Sequence, residues 1–254
     1  MNRAPIIAID GPAGAGKSTV ARHLAQHFGL LNLETGAMYR AFALKAIQSD
    51  QDFDDASALE RLSRDTDIAL ESDRSGNRVF LDGTDVTERI RDSDVTQGAS
   101  RVSVHPAIRT WMVDLQRELG RRGGVVMEGR DIGTVVFPDA DVKVFLDASP
   151  EARSQRRYEQ NSTVKERSIR SEYEQNNGPG GQPRPATAAD HSAVFQELRE
   201  RDERDRTRAS SPLQPAGDAV VIDSTNLTLE EVLTRIEDLV RPLFARRGPA
   251  EKVG

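Results

Sequence analysis

The chain has no cysteine among its 254 residues. Disulfides, thiolate nucleophiles and cysteine-based zinc sites are therefore excluded, and a reducing compartment is compatible with the composition. Aromatic residues make up only 5%, with a single tryptophan. No apolar run approaches the ~20 residues that a membrane-spanning helix needs. The opening apolar stretch stops at Asp10, which is too short for a signal peptide. Charge of one sign is also missing: 35 basic and 41 acidic residues leave a net charge of -6. That balance offers no general attraction to nucleic acid or to anionic membranes. A soluble cytoplasmic protein with neither kind of partner is the expectation, and the length allows one sizeable core with small insertions.

What is present is concentrated first at Ile6 to Ser18, IIAIDGPAGAGKS. An apolar strand over Pro5 to Ile9 runs into a glycine loop, and an amphipathic helix follows with Val20, Leu24 and Phe28 on one face. The loop fits G-x-x-x-x-G-K-[ST] without mismatch, and Gly11, Ala13, Gly14, Ala15, Gly16, Lys17, Ser18 and Thr19 are read as its nucleotide-binding residues. Small residues let backbone N–H groups converge on an anion that also meets the positive end of the helix dipole. Lys17 would reach the outer phosphates of a nucleoside triphosphate, and the Ser18 hydroxyl would ligate a bridging magnesium ion.

Hydrophobic patterning then sets the fold expectation. Short apolar runs at Leu30–Leu33, Gly124–Met127, Val142–Leu146 and Ala219–Ile222 join the first strand and alternate with helical segments. Five such strands predict a P-loop NTPase-type, doubly wound, parallel α/β sheet with ligands at the carboxyl ends of the strands. Gly29 should stop the first helix. Ser93 to Leu119 reads as two helices broken at Pro106, followed by Gly120. Thr228 and Glu231 form a capping box for the last helix. Between Asp65 and Glu88, the alternation of Ile68, Leu70, Val79, Leu81 and Val86 predicts a small antiparallel meander. Asn176–Ala189, NNGPGGQPRPATAA, reads as a mobile loop. Trp111 is read as core packing.

Two further stretches carry chemistry. Glu128-Gly129-Arg130-Asp131 ends a strand beside the P-loop strand, where a magnesium-side carboxylate belongs. In Arg199–Arg208, RERDERDRTR, residues Arg201, Arg204, Asp205 and Arg208 share a helical face. A stripe of arginines calls for an anionic target, and arginine binds phosphate bidentately. His23 and His27 have i, i+4 metal spacing, but no carboxylate cluster accompanies them and no metal is assigned there.

Together these stretches resemble the bacterial cytidylate kinase family. The residues that carry the likeness are Ala8–Thr19, Glu34–Arg40 (ETGAMYR), Gly129–Ala140 (GRDIGTVVFPDA), Val144–Ser149 and Arg201–Leu213, in order over nearly the whole chain. The resemblance implies a core (1–35, 90–148 and 209–246), a monophosphate-binding domain with the β insert (36–89), a lid with the arginine-rich helix (149–208, of which 176–189 is the mobile loop) and a tail (247–254). It implies transfer of a phosphoryl group from ATP to CMP or dCMP with Mg2+, by a monomer. Thr35, Arg40, Arg130 and Arg208 would hold the acceptor phosphate, Ser100, Arg109 and Asp131 the cytosine edge, and Arg201 and Asp205 the sugar. Catalytic charge neutralisation would come from Lys17, Arg130, Arg208 and the lid arginines Arg153 and Arg157, with Ser18 and Glu128 on the metal side. The family commonly has Asp where this chain has Glu34 and Glu128. A hydroxyl-directed small-molecule kinase of the shikimate type and a non-catalytic P-loop switch are the competing readings. The arginine stripe favours a phosphate acceptor over the first, and the lack of an Asn-Lys-x-Asp motif counts against the second.

Overall fold

The computed structural model describes residues 3–72, 77–159 and 188–245. Its centre is β1, Ile6–Asp10, buried along its whole length. The run Ile-Ile-Ala-Ile suits a strand covered on both faces. Around it lie β2 (Leu31–Glu34), β6 (Val125–Gly129), β7 (Val142–Asp147) and β8 (Val220–Asp223), in the order β2-β6-β1-β7-β8. Every neighbouring pair is parallel, so the expected five-stranded sheet is what forms. Shared direction brings Asp10, Glu34, Gly129 and Asp147 to one edge of the sheet.

Helix α1 (Lys17–Phe28) packs Val20, Ala21 and Leu24 against the sheet, and α8 (Leu229–Ala245) adds Val232, Ile236 and Val240 to the same cluster. Gly29 ends α1 at φ 66, as anticipated. The capping box of α8 is reciprocal: Glu231 Oε2 accepts from Thr228 N at 2.7 Å, and Glu231 N donates to Thr228 Oγ1 at 3.2 Å. A second cluster joins α2 (Thr35–Gln48), α3 (Ala56–Arg64), the antiparallel meander β3-β4-β5 (Ile68–Ser72, Asn77–Leu81, Thr84–Asp85), α4 (Ser93–Val102) and α5 (Pro106–Gly120). Trp111 meets Phe42 there edge-on at 5.1 Å, consistent with core packing.

Gly120 does not lie beyond α5 as the sequence suggested; it is the last residue of the helix. A Cβ at this position would come within 2.5 Å of the Phe137 ring, so this glycine serves close packing. The left-handed turn follows at Gly123 and Gly124, φ 68 and 71. The Asn176–Ala189 segment lies outside the described residues, apart from its last two, which open α7 (Ala188–Thr207). A helix over 150–159, α6, follows β7. On α7 the inward face carries Leu198, Asp202 and Asp205, with Arg201 partly covered, while Arg204 is exposed. Arg204 therefore leaves the arginine stripe, and Arg208 lies one residue past the helix end and is buried.

Candidate active site

The glycine loop joins β1 to α1 and is shaped by backbone that only glycine tolerates. Gly11, Gly14 and Gly16 have φ 147, 77 and 98. A Cβ on Gly11 would lie 2.0 Å from the Leu146 carbonyl oxygen, so neighbouring β7 forbids a side chain there. Ala13 and Ala15 are buried beneath the loop, while Ser18 and Thr19 are exposed on the first turn of α1. Lys17 is buried and its Nζ donates to the Pro12 carbonyl at 2.7 Å. Burial pushes the Lys17 ammonium down to about 7, and the charges of Arg130 and Arg201 push the same way.

Opposite the loop, Glu128 at the end of β6 is buried. Burial, reinforced by the Glu34 carboxylate, raises it to about 7 despite Lys17 and a hydrogen bond from Ser18. One of its oxygens, Oε1, has no hydrogen-bond partner. A second carboxylate close by, a serine hydroxyl already on this one and an orphaned buried oxygen together form an oxygen donor set of the kind a hard divalent cation takes. Magnesium fits these residues, the extra methylene of each glutamate notwithstanding. Thr35 caps the neighbouring carbonyl, its Oγ1 donating to Glu128 O at 2.8 Å. Gly129 is required beside it, since a Cβ there would meet Thr35 Oγ1 at 2.8 Å.

The arginines converge. Arg130 Nε donates to Asp205 Oδ2 at 2.9 Å, and Arg208 Nη1 approaches Asp205 Oδ1 at 3.4 Å. Arg208 also donates from Nε to Ser211 O at 2.6 Å. Arg40 holds Glu34 at 2.6 Å. Burial lowers Arg201 to about 10, and Arg130, Arg40 and Arg157 depress it further against the pull of Asp205. The part due to Arg130, Arg40 and Arg157 reflects guanidinium groups lying near one another, with Asp205 the carboxylate that opposes them. Asp205 is held below the usual carboxylate range: burial opposes this, but Arg130, Arg201 and Arg208 outweigh it.

Deeper in, Arg109 on α5 forms a buried ion pair with Asp131, with Arg109 Nη2 donating to Asp131 Oδ2. Arg109 Nη1 also reaches Ser103 O at 3.3 Å. Ser100, one turn before Ser103 on α4, is buried with its hydroxyl unpartnered. Arg40 Nε, Arg109 Nε and Arg208 Nη2 are likewise buried without partners. Buried polar atoms are normally satisfied; these four lie on residues expected to contact ligand, while others, such as Asn32 Oδ1, Asn77 Oδ1 and Ser154 Oγ, lie elsewhere.

Arg153 and Arg157 separate. Arg157 is partly exposed and within electrostatic reach of Arg201. Arg153 is buried and fully engaged, donating to Ala148 O at 2.9 Å and Ala13 O at 3.0 Å and pairing with Asp202 at 2.5 Å. In this conformation it braces the glycine loop.

Two residues escaped the sequence reading. Asp10, buried, accepts Ile132 N at 2.8 Å on one oxygen and Gly133 N at 2.7 Å on the other, tying β1 to the turn that presents Arg130 and Asp131. Burial raises its carboxyl to about 6 even though those two hydrogen bonds pull down. Its adjacency to Gly11 hid it, since the motif begins one residue later. Tyr39 lies under Arg109, ring centroid 5.9 Å from the guanidinium carbon. Burial pushes its hydroxyl up to about 12. Its place beside Arg40 in ETGAMYR was the available signal.

Comparison with known proteins identifies the family. The cytidylate kinase family profile matches residues 7–176 and 163–242. Cytidylate kinase of Pelotomaculum thermopropionicum is 48% identical over 237 residues, 93% of this chain and 96% of that one. Those of Solibacter usitatus and Anoxybacillus flavithermus are 46% and 45% identical, covering 93% and 95% of this chain and 92% and 98% of their own. With a phosphate loop, a converging arginine cluster and matches of this extent, the chain belongs to the cytidylate kinase family.

Proposed function

We propose that the protein transfers the γ-phosphoryl group of ATP to CMP or dCMP, giving ADP and CDP or dCDP. The observation that carries this reading is the gathering of Arg130, Arg201 and Arg208 on one carboxylate, Asp205, with Arg130 and Arg201 also within electrostatic reach of Lys17 in the glycine loop. Two phosphate groups meeting there supply the missing negative charge. Gly11 to Thr19 hold the triphosphate, and Lys17 exchanges the Pro12 carbonyl for its outer oxygens. Thr35, Arg40, Arg130 and Arg208 hold the acceptor phosphate, while Arg201 and Asp205 take the sugar hydroxyls. Ser18 and Glu128 would hold Mg2+, which would supply positive charge against the phosphates.

Ser100, Arg109 and Asp131 read the base. Cytosine offers an exocyclic amine donor suited to Asp131 and acceptors suited to Arg109 and Ser100. Uracil turns that donor into an oxygen facing a buried carboxylate, which leaves polar groups unpaired. No general base is needed, because the acceptor is a phosphate oxygen largely ionised at neutral pH, its second pKa being about 6. The chain's work is in-line positioning, charge neutralisation and exclusion of water. Arg157, and Arg153 once released from Asp202, belong to the part that closes over the phosphates, 149–208. Residues 36–89 close over the monophosphate, against a core of 1–35, 90–148 and 209–246. The working unit is a monomer in the cytoplasm. Among the described residues no helix is long and apolar enough to cross a membrane.

A coupled assay with ATP and Mg2+ against CMP, dCMP, UMP, AMP and shikimate tests the proposal. CMP and dCMP turn over, with UMP lower in kcat/KM by at least about 100-fold. Turnover of UMP or AMP alone overturns the base assignment, and turnover of shikimate alone overturns the phosphate acceptor.

A further inference from the structure

Away from the phosphates, the helix that carries the glycine loop meets the last helix through three potential metal ligands. His23 and His27 lie one turn apart on α1, and Glu237 comes from α8. Their ligand atoms all lie within 4.8 Å of one another. His23 Nε2 already hydrogen-bonds Glu237 Oε1 at 2.6 Å, and the two imidazoles are stacked 5.8 Å apart with 16° between their planes. His27 in turn packs edge-on against Phe28, and Phe28 stacks on Phe244 of α8. The carboxylate that the sequence lacked beside these histidines is thus supplied by the fold from 214 residues away.

From this geometry we propose a second metal site, a two-histidine, one-carboxylate site for a divalent transition metal of the zinc type, joining α1 to α8. Imidazole nitrogens with one carboxylate suit zinc, nickel or copper, whereas magnesium and calcium prefer oxygen alone. Bonds of about 2.0–2.1 Å from each ligand demand only side-chain adjustment. His23 and Glu237 part slightly to admit the ion, and exposed His27 turns towards them. Fixed i, i+4 spacing on a helix makes the histidine pair preorganised, so little ordering cost remains. Three protein ligands leave a tetrahedral ion one position for water. Arg241 stands 3.5 Å from the other Glu237 oxygen, Oε2, and leaves Oε1 to the metal. The site is separate from Ser18 and Glu128: those oxygens face the phosphates, and the histidines lie towards the other end of α1. Zinc here would clamp the helix whose first turn cradles the triphosphate onto the helix that closes the chain.

The test is competition of Zn2+ between the protein and a chromophoric chelator, using the full chain, alongside thermal unfolding with Zn2+ or Mg2+ alone. Wild type takes up one equivalent of Zn2+ and gains thermal stability from it, while Mg2+ gives no such shift in the absence of nucleotide. His27→Ala, at an exposed position, weakens Zn2+ uptake by at least about tenfold, and Glu237→Gln does so too, in line with the usual cost of losing part of a metal site. Uptake by wild type no tighter than by the His23→Ala/His27→Ala double variant overturns the proposal. So does unchanged affinity in Glu237→Gln, which leaves only a surface two-histidine chelate. CMP turnover enters neither readout, so failure here and failure of the kinase reading are distinguishable.

Discussion

Asp205→Asn is the most informative single change. The side chain is 8% exposed and faces Arg130, 17% exposed, and Arg208, 4% exposed. Asparagine keeps the shape but removes the charge, and its amide turns N–H groups towards guanidinium donors. Breaking a buried ion pair from one side costs about 3–5 kcal/mol. The lower end applies, because Arg130 keeps some access to water and Arg208 keeps the Ser211 carbonyl. At about 2–4 °C per kcal/mol for a chain of this size, ~3 kcal/mol lowers Tm by about 6–12 °C. Added pyrophosphate should recover most of that loss, since an anion among the arginines replaces the missing carboxylate. The stabilisation by anion is then larger in the variant than in wild type. Catalysis loses charge-assisted hydrogen bonds worth about 2–3 kcal/mol, a drop of roughly 30- to 150-fold in kcat/KM for CMP. Calorimetry with and without ligand, plus a coupled assay, reads all three quantities. A Tm within about 2 °C of wild type together with near-normal CMP turnover would refute the idea that Asp205 holds the cations together.

Other outcomes follow from the same geometry. Asp10→Asn can satisfy only one of the Ile132 and Gly133 N–H groups, at a cost of about 1–3 kcal/mol. Steady-state kinetics should show KM for CMP rising more than KM for ATP, because the disturbed turn carries Arg130 and Asp131. Gly11→Ala drives a Cβ into the Leu146 carbonyl, and fluorescence titration should find nucleotide binding abolished or the fold lost. Proton linkage should change sign near neutrality. Lys17, lowered to about 7, is mostly neutral at pH 8 and must take up a proton to meet a triphosphate. Glu128, raised to about 7, is mostly protonated at pH 6 and must release one to hold Mg2+. Calorimetric titration of MgATP in buffers of different ionisation enthalpy should therefore show net uptake at pH 8 and net release at pH 6. Removing Mg2+ should abolish the release and leave the uptake.

Local physics let much of the molecule be read in advance. The glycine loop needs backbone conformations that only glycine adopts freely, so its spacing survives as a legible pattern. Strand and helix periodicity likewise marked the five strands of the parallel sheet, the break at Pro106 and the cap at Thr228, because each depends on residues within a turn or two of one another. The arginine-rich helix was legible as a charged face, but not in its rotation. Arg204 turned to solvent because Leu198, Asp202 and Asp205 took the covered side, a choice made by what packs against α7. Gly120 was misread for the same reason, its small size answering to Phe137 across the fold.

Sequence alone, then, determined that a phosphate-binding loop, a parallel sheet and an excess of arginine at its rim would exist. Only the tertiary structure decided that Arg130 faces Asp205, that Asp10 holds the turn bearing Arg130 and Asp131, and that Glu237 reaches His23. Those pairings span from 75 to 214 residues of chain. Short-range periodicity carries no record of such distances, because they are set by which apolar faces bury one another when the sheet closes.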